Sequence, residues 1–531
     1  MNSTTYSIPL AIGAIPPYLQ FVAFGCVLAV GYNIWWALVS ERRLPGFPVA
    51  TLEGQGLPPK ESYFKDASGT IASGLKAYAG PFQIITGTGP KIVLPNKYAD
   101  ELRNRPELDF NEAFRKDFFA HYSGFDGFRA SLDNPTLIPS TLRVKLTQSL
   151  GLVTNHLVDE ATSALHQLYG EDREWQSIAV KQHNLNLVAR LSSRVFLGRP
   201  ICRNEQWLEI AKNHTVDSFL AARDLRAQHF FMRPIMHYFM PHNKNIQRHY
   251  TDAKRIISTE VERRKIRAQI LLEAGDKPPK VSDAIGWMVE MAGGKKVDYV
   301  AAQLSLTVAS IHATTEALTI ALLDLVSHPE IIPQLRKEII EVLGDAGWSK
   351  QALYKMKLMD SFLKESQRLH PPSDVSMNRK VMRRLTLSDG TVLPKGARLM
   401  VAARFRDAEI YPEPDAFDAT RFLRLLNNTS SNSPHHYVST SAEMFAFGTI
   451  RCHGKHACPG RFLASAELKI ALSHMLLKYD WKLDKSDTMP RFFANETAHM
   501  TNPGLKLMVR RRTEEINLDL DVDPDLIDVE D

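Results

Sequence analysis

The chain has 531 residues, of which 44% are hydrophobic and 23% are charged, and it contains four cysteines. This composition is globular and excludes a multi-span transporter or a chain that is disordered throughout. The length favours one large domain, or a domain with a smaller lobe, that can enclose a sizeable ligand. Four scattered cysteines are too few for a disulfide framework and indicate a reducing compartment.

Charge is distributed unevenly along the chain. The net charge is +6, yet nine acidic residues and no Lys or Arg lie between Glu514 and the end. The residues before Glu514 therefore carry +15 once those nine negative charges are set aside. Such an excess suits nucleic acid, an anionic membrane surface or an acidic protein partner. Because no nucleic-acid motif accompanies it, we expect a membrane surface and an acidic partner, and no nucleic acid.

The N-terminal region reads as a membrane anchor. No charged residue precedes Glu41, and the apolar run Leu19–Val39 has the roughly 20 residues that cross a bilayer. Arg42 and Arg43 follow at once, which predicts a body on the cytosolic side. A cleaved signal peptide is the alternative, but the start lacks a basic region. We assign residues 1–43 to the anchor, with a span at about 19–39, followed by a non-helical hinge at 44–48.

Helical periodicity dominates from about residue 101 to 347, as in Gln176–Phe196 and Ile256–Leu272. The stretch Tyr299–Leu323 is uncharged except for Glu316 and predicts a long buried helix. These patterns indicate a mainly α protein.

The pattern changes after Pro371. Residues 384–391 predict a hairpin that continues to Ala402, so a small β lobe lies late in the chain. Cys458–Tyr479 returns to helix. The main domain is expected to cover residues 44–513, with an acidic, disordered tail at 514–531.

The segment from Phe447 to Phe462 is the richest in reactive side chains, because two cysteines and two histidines fall within seven residues. A zinc knuckle built on Cys452, His453, His456 and Cys458 is one interpretation, although no second ligand pair lies nearby. A glycine-rich loop with a buried thiol is another.

A third interpretation is haem ligation. Gly454-x-His456-x-Cys458-Pro459-Gly460-Arg461-Phe462 resembles the cysteine-ligand loop of the cytochrome P450 family. The resemblance implies that Cys458 is the axial thiolate ligand of the haem iron and that His456 binds a haem propionate. It also implies that Gly454 and Gly460 let the backbone approach the porphyrin. A thiolate stays deprotonated beside the positive end of a helix dipole, and Cys458 precedes a predicted helix.

This loop departs from the family pattern at one place. The family has an aromatic residue and a glycine seven and six positions before the cysteine, where this chain has Arg451 and Cys452. The expected pair occurs four residues earlier as Phe447-Gly448. Residues 449–452 therefore read either as a true insertion or as an error in the gene structure.

Two further segments resemble the family. Glu365-Ser366-Gln367-Arg368 lies on a predicted helix, where positions three apart share a face. The segment around Arg421 resembles the one that adds a second arginine to this pair, so Glu365, Arg368 and Arg421 are expected to form a buried structural ion network. Arg379 stands where the family binds a haem propionate.

The predicted buried helix carries the polar residues that the resemblance assigns to proton delivery. Aligned without a gap, His312 occupies the position of the family's acid and Ala313 that of its alcohol, while Thr314 comes one residue late. We expect His312, Thr314 and Thr315 to serve this function, with water or substrate hydroxyls. The alternative is that His312 pairs with Glu316 one turn along.

The resemblance extends from the anchor to about Arg512 and implies a cytochrome P450 fold, haem b and a monooxygenase activity. Residues 189–198 resemble fungal enzymes of secondary metabolism, which implies hydroxylation or successive oxidation of a lipophilic polycyclic compound, such as a terpenoid or meroterpenoid. The expected location is the endoplasmic reticulum membrane. A haem-thiolate isomerase or dehydratase that does not use O2 and a non-catalytic haem-binding membrane protein are the alternatives.

The expected electron donors are NADPH-cytochrome P450 reductase and, as a second partner, cytochrome b5. The chain has no nucleotide-binding glycine fingerprint, so NADPH is expected to bind the reductase.

Overall fold

The computed structural model describes residues 16–40, 42–277, 282–427, 434–445, 447 and 457–520. Within these ranges helices form most of the structure and short strands form four small sheets. The predicted mainly α architecture with a small β component is confirmed.

The α-helices are α1 (Pro17–Ser40), α2 (Pro59–Lys65), α3 (Ala67–Ala77), α4 (Ala99–Leu102), α5 (Phe110–Asp117), α6 (Asp126–Asp133), α7 (Leu137–Ser140), α8 (Leu150–Tyr169), α9 (Val180–Leu197), α10 (Glu205–Ala227), α11 (Arg233–Met236), α12 (Pro241–Glu273), α13 (Ala284–Ala292), α14 (Tyr299–Ser327), α15 (Ile332–Ala346), α16 (Lys350–Lys355), α17 (Lys357–Leu369), α18 (Arg421–Asn427) and α19 (Arg461–Lys478). Short 3₁₀ segments lie at Asn96–Tyr98, Ile201–Arg203 and Pro329–Ile331, and a π-helical segment lies at Thr141–Leu146.

The strands are β1 (Phe82–Thr86), β2 (Gly89–Leu94), β3 (Leu108–Asp109), β4 (Gln176–Ala179), β5 (Val375–Val381), β6 (Leu385–Thr386), β7 (Val392–Leu393), β8 (Arg398–Ala402), β9 (Tyr479–Leu483), β10 (Phe492–Asn495), β11 (Ala498–Thr501) and β12 (Lys506–Arg511). They form sheets in the orders β1-β2-β8-β5-β3, β4-β12-β9, β6-β7 and β10-β11. The predicted hairpin after residue 384 is β6-β7.

Helix α14 is the centre of the helical body. Asp298 caps it by accepting a hydrogen bond from the Ala301 backbone N–H at 3.0 Å, and it packs against α6, α9, α10, α12, α17 and α19. Its length and composition would allow a membrane crossing, but most of it is buried inside the protein. It is therefore the predicted core helix, and it ends at Ser327 rather than Leu323.

Helix α1 contains the predicted span and differs from α14 in its surroundings. Its apolar side chains are exposed, with Phe21 at 76%, Phe24 at 63% and Val27 at 67%. A helix with apolar side chains on all sides and no protein around it is stable in an apolar environment rather than in water.

The five-stranded sheet joins residues that are far apart in the sequence, because β2 pairs in parallel with β8. A buried ion cluster holds it to the end of α5: Asp117 accepts from Lys91 Nζ at 2.6 Å and from Arg398 Nη1 at 2.5 Å. Burial alone would raise the pKa of Asp117, but these two cations hold the pKa far below its usual value. The cluster fixes the sheet that carries Arg379 on β5.

The helix predicted over Gln176–Phe196 begins later than expected. Residues Gln176–Ala179 form strand β4 and pair with β12, and α9 starts at Val180. The partner strand lies more than 300 residues away, so local periodicity carried no signal of this pairing.

Residues 514–520, the first part of the tail that we expect to be disordered, lie against the body. Leu518 is 1% exposed, and its carbonyl accepts a hydrogen bond from Trp348 Nε1 at 2.7 Å. Asp519 pairs with Lys478 at 2.7 Å. The apolar residues between the acidic ones pack on the body, which the acidic composition concealed. Residues 521–531 lie outside the described part of the chain.

We expect Leu518→Ala to destabilise the protein by about 2 to 5 kcal/mol, because it removes a fully buried side chain. Thr513→Ala, at an exposed position of the same segment, is the control and should change stability by less than about 0.5 kcal/mol. Chemical denaturation would measure both. Equal stabilities for the two variants would mean that the segment does not pack on the body in solution.

Candidate functional site

Cys458 lies directly before α19. Gly460 occupies the N-cap position of this helix, and the Cys458 carbonyl accepts a hydrogen bond from Arg461 Nη1 at 3.0 Å. The side chain of Cys458 is half-buried. The positive end of the helix dipole favours the thiolate over the thiol, so this position suits a cysteine that binds a metal through an anionic sulfur.

Cys458 packs against the buried core that contains Tyr437 and Phe447. These two aromatic side chains are buried and make an edge-to-face contact, with ring centroids 4.8 Å apart. Burial raises the pKa of Tyr437, and the negative charges of Asp360 and then Cys458 raise it further. Phe447 therefore belongs to the core that supports the cysteine, although it stands earlier in the sequence than the family pattern has it. Gly448, Gly454, His456 and the four-residue stretch 449–452 lie outside the described residues.

The central helix presents a face of small side chains. Ala309 and Ala313 are exposed in the middle of the otherwise buried α14 and lie one turn apart on the same face. The neighbouring Ser310 hydroxyl is buried and has no hydrogen-bond partner among the described residues. A flat group can therefore approach α14 at this point, and a polar atom there remains unsatisfied.

His312 contacts helix α10. Its Nε2–H donates to the carbonyl of Lys212 at 2.9 Å, which leaves Nδ1 as the acceptor of the neutral ring. Burial lowers the pKa of His312, and this hydrogen bond and the charge of Glu316 offset the effect only in part. Glu316 itself binds Lys181 and accepts from the Thr501 hydroxyl at 2.7 Å. The direct pairing of His312 with Glu316, considered as an alternative, is not formed.

The two threonines next to His312 differ in their hydrogen bonds. The Thr315 hydroxyl donates to the carbonyl of Ile311 at 2.7 Å, so its proton is engaged within the helix. The Thr314 hydroxyl has no protein partner in the described part of the chain. Thr314 is therefore the threonine that can offer a proton to a bound molecule.

Arg379 lies on β5 and is 1% exposed. Its Nη1 donates to the Asn378 carbonyl at 2.7 Å, and its guanidinium lies 5.8 Å from the ring centre of Phe110. The planar guanidinium of Arg379 has paired N–H donors, and this geometry suits a carboxylate ligand.

The structure brings Glu365, Arg368 and Arg421 together in a buried network. Glu365 accepts from Arg368 Nε and Nη2, each at 2.8 Å, and from Arg421 Nε at 3.1 Å. Arg368 also donates to the carbonyl of Phe405 at 2.9 Å, and Arg421 donates to that of Pro412 at 2.6 Å. Their further hydrogen bonds go to backbone carbonyls between Phe405 and Ala416, which fixes that loop to α17.

Sequence reasoning missed a second set of charged residues on the same helix, Asp360 and Lys364, which are buried on another side of α17. It also missed Arg143. The pKa of Arg461 is lowered first by its own burial, and the positive charge of Arg143 lowers it further. Buried charges on a helix with a clear apolar stripe are a usable signal, because such residues require partners. A lone helical arginine such as Arg143 carries no such signal.

These residues fit a haem with a thiolate ligand. Cys458 supplies the sulfur, and Gly460 leaves space beside it, since a Cβ added there would meet only Cys458 Sγ, at 4.0 Å. Ala309 and Ala313 supply a small apolar face on α14, which packs against α19, and Arg379 supplies a cation for a propionate. The arrangement defines the class of haem-thiolate proteins.

Comparisons with known proteins agree with the assignment to the haem-thiolate class. The family model described as cytochrome P450 matches residues 98–509. Cytochrome P450 monooxygenase bsc2 of Alternaria brassicicola is 44% identical, over 90% of this chain and 91% of that protein. Cytochrome P450 monooxygenase adrA of Penicillium rubens is 38% identical, over 86% and 89%. The structure of retinoic acid bound cyanobacterial CYP120A1 superposes with a TM-score of 0.63 at 16% identity, covering 89% of this chain and 100% of that one.

The chain therefore belongs to the cytochrome P450 family and is a P450 monooxygenase. The predicted fold is confirmed by the likeness to the solved structure. Membership of the family also confirms haem, held by a cysteine thiolate, as the cofactor.

We expect Glu365→Gln to destabilise the protein by about 3 to 5 kcal/mol, because it leaves two buried guanidinium groups without their carboxylate. The matched control is Glu341→Gln, which removes an exposed carboxylate 3.8 Å from Lys337 and should have an effect below about 0.5 kcal/mol. Urea denaturation followed by circular dichroism measures both. A loss of similar size in the control would contradict a special role for the network.

Proposed function

We propose that Cys458 is the axial ligand of the haem and that the enzyme hydroxylates or successively oxidises a lipophilic polycyclic intermediate of secondary metabolism. The observation that carries this proposal is the position of Cys458 directly before the N-terminus of α19, against the core that contains Tyr437 and Phe447. The haem, when bound, supplies the oxygen-activating chemistry. The residues of this chain hold the sulfur, orient the substrate and move protons.

His312 and Thr314 are the proposed proton-handling residues. His312 Nε2–H donates to the Lys212 carbonyl, so Nδ1 can accept a hydrogen bond and orient a water molecule or a substrate hydroxyl. Thr314 can then donate or accept a proton through its hydroxyl. General-acid work of this kind requires a group within hydrogen-bond reach of the atom that receives the proton.

An apolar substrate is supported by an aromatic cluster on α5, α6 and α10. The rings of Phe118 and Phe219 lie 5.4 Å apart, those of Phe128 and Phe219 lie 5.5 Å apart, and Phe219 is 39% exposed. Both α6 and α10 pack against α14. Aromatic walls next to the central helix suit a large, rigid hydrocarbon. We infer a terpenoid or meroterpenoid skeleton.

Anchoring in the endoplasmic reticulum membrane is supported by exposed apolar surface in two places. One is α1, and the other is the segment after α10, where Phe231, Ile235 and Phe239 are each more than half exposed. The end of α10 lies close to α2, which follows the hinge, because both Phe64 and Arg226 border Gly87. A membrane at α1 would therefore also meet this segment.

The proposed electron donor is NADPH-cytochrome P450 reductase, with cytochrome b5 as a second partner. The charge of +15 on the residues before Glu514 supports docking to an acidic protein surface.

The carbon monoxide difference spectrum of the reduced full-length protein tests the ligand assignment. We expect a strongly red-shifted, thiolate-type Soret band that is lost in Cys458→Ser. It should persist in Cys452→Ser and in Cys202→Ser, whose thiol is buried with its pKa raised to about 12. A band that depends on Cys452 would show that the loop has been interpreted in the wrong register.

We expect Thr314→Ala to divert electrons from product to peroxide, because it removes the hydroxyl that is available for proton transfer. Thr315→Ala, its matched control, removes a hydroxyl that is engaged with Ile311 and should leave the ratio of product to NADPH consumed almost unchanged. Equal uncoupling in the two variants would contradict the proposed relay.

A haem-thiolate isomerase or dehydratase is the second candidate. It is favoured by Ala313, which is exposed on α14 and brings no hydroxyl to the position where the family has its alcohol. Product formed without reductase, NADPH and dioxygen would favour this activity. A strict requirement for all three would favour the monooxygenase.

A further inference from the structure

The segment 434–445 approaches the cysteine site without forming a helix or a strand. Segments of this kind need side-chain partners, since few of their backbone groups pair with one another. In this segment the Ser439 N–H donates to the His436 carbonyl and the Ser441 N–H to the Met444 carbonyl. Three of its carbonyls, those of Pro434, His436 and Ser439, accept hydrogen bonds from one ammonium group, Lys364 Nζ on α17, at 2.9, 2.8 and 3.1 Å.

The donors of Lys364 and the carbonyl acceptors of the loop match in number and in geometry. A lysine ammonium has three N–H donors arranged as a tripod, and each of the three finds a carbonyl here. Lys364 is 1% exposed, so the hydrogen bonds form away from bulk solvent, and burial lowers its pKa to about 7. Because one buried ammonium binds three carbonyls of the same loop, the loop is folded around Lys364 Nζ.

A second residue on α17, Asp360, also binds this loop. Asp360 accepts from the backbone N–H of Tyr437 at 2.7 Å, and its other oxygen lies 2.7 Å from Lys469 Nζ on α19. His436 Nδ1 lies 3.6 Å from the same carboxylate. Asp360 therefore joins α17, the loop and the helix that starts behind Cys458.

The residue held between these contacts is Tyr437. Its neighbours His436 and Ser439 give their carbonyls to Lys364, and its own N–H goes to Asp360. Its ring packs on Phe447, and both rings belong to the buried core against which Cys458 packs. A shift of the loop would therefore move two aromatic rings of the core that supports the cysteine.

We propose that Lys364 is a positioning residue for the thiolate: its ammonium closes the loop 434–439, and the loop holds Tyr437 and Phe447 in the core against which Cys458 packs. This inference rests on the proposed role of Cys458 as the haem ligand. It assigns to the residue immediately before Glu365 a function separate from that of the Glu365 network, which binds a different loop.

Two substitutions separate geometry from charge. Lys364→Met has a similar length and removes all three donors. Lys364→Arg keeps a buried positive charge, but its planar fork cannot reproduce a tripod. Lys357→Met, on the same helix, is the control. It removes an ammonium that lies over the Tyr354 ring, which contacts His436, but that donates no hydrogen bond to the described part of the loop. All are made in the full-length holoenzyme.

The first measurement is the rate at which the thiolate-type Soret band of the carbon monoxide complex converts to the shorter-wavelength, thiolate-free form in dilute urea. We expect conversion at least about tenfold faster in Lys364→Met and Lys364→Arg, and unchanged in Lys357→Met. The second is hydrogen exchange of the backbone amides of 434–445, which should quicken in the same two variants while α14 stays protected.

Rates in both Lys364 variants equal to those of Lys357→Met would overturn the proposal, and so would unaltered hydrogen exchange in the loop. Normal behaviour of Lys364→Arg alone would show that charge rather than geometry matters, which also contradicts it. If Lys364→Met does not accumulate as holoenzyme, Lys364→Arg decides. A parent protein that lacks the thiolate band, or keeps it in Cys458→Ser, would instead refute the ligand assignment.

Discussion

An ionised carboxylate can remain inside a protein only if donors surround it, and Glu365 shows how much structure that requirement organises. It lies on α17 with no exposed surface, and two arginines complete its hydrogen bonds. Those arginines in turn need acceptors, which they find in backbone carbonyls of the loop after β8. A single buried charge therefore dictates the course of a loop that has no regular secondary structure of its own.

Helix α17 carries a second set of buried charges, which also bind a loop. Asp360 and Lys364 are buried together with Glu365 and Arg368, so one helix of 13 residues holds four charged side chains away from water. Each pair binds a different irregular loop. The helix thus acts as the common support of both loops, while α14, which carries Ala309 and Ala313, packs against α19, which follows Cys458.

The sequence predicted the parts of the fold that depend on local pattern. The long apolar helix α14, the β6-β7 hairpin and the helix after Cys458 were all visible in periodicity and turn residues. The family resemblance placed Glu365 and Arg368 on one segment and Arg421 on another, and the structure shows the three in contact. What could not be predicted depends on distant partners: β4 needs β12, and Leu518 needs Trp348. The hydrogen bond of His312 to Lys212 likewise depends on how two helices cross.

The parallel pairing of β2 with β8 has a consequence for the order in which the protein can fold. About 300 residues separate the two strands, so the ends of a very long loop must meet before the sheet exists. During synthesis, β1 and β2 leave the ribosome as a hairpin whose inner edge has no partner until β8 follows. Such an edge invites pairing with other chains. The haem domain thus becomes resistant to aggregation only late in its own translation.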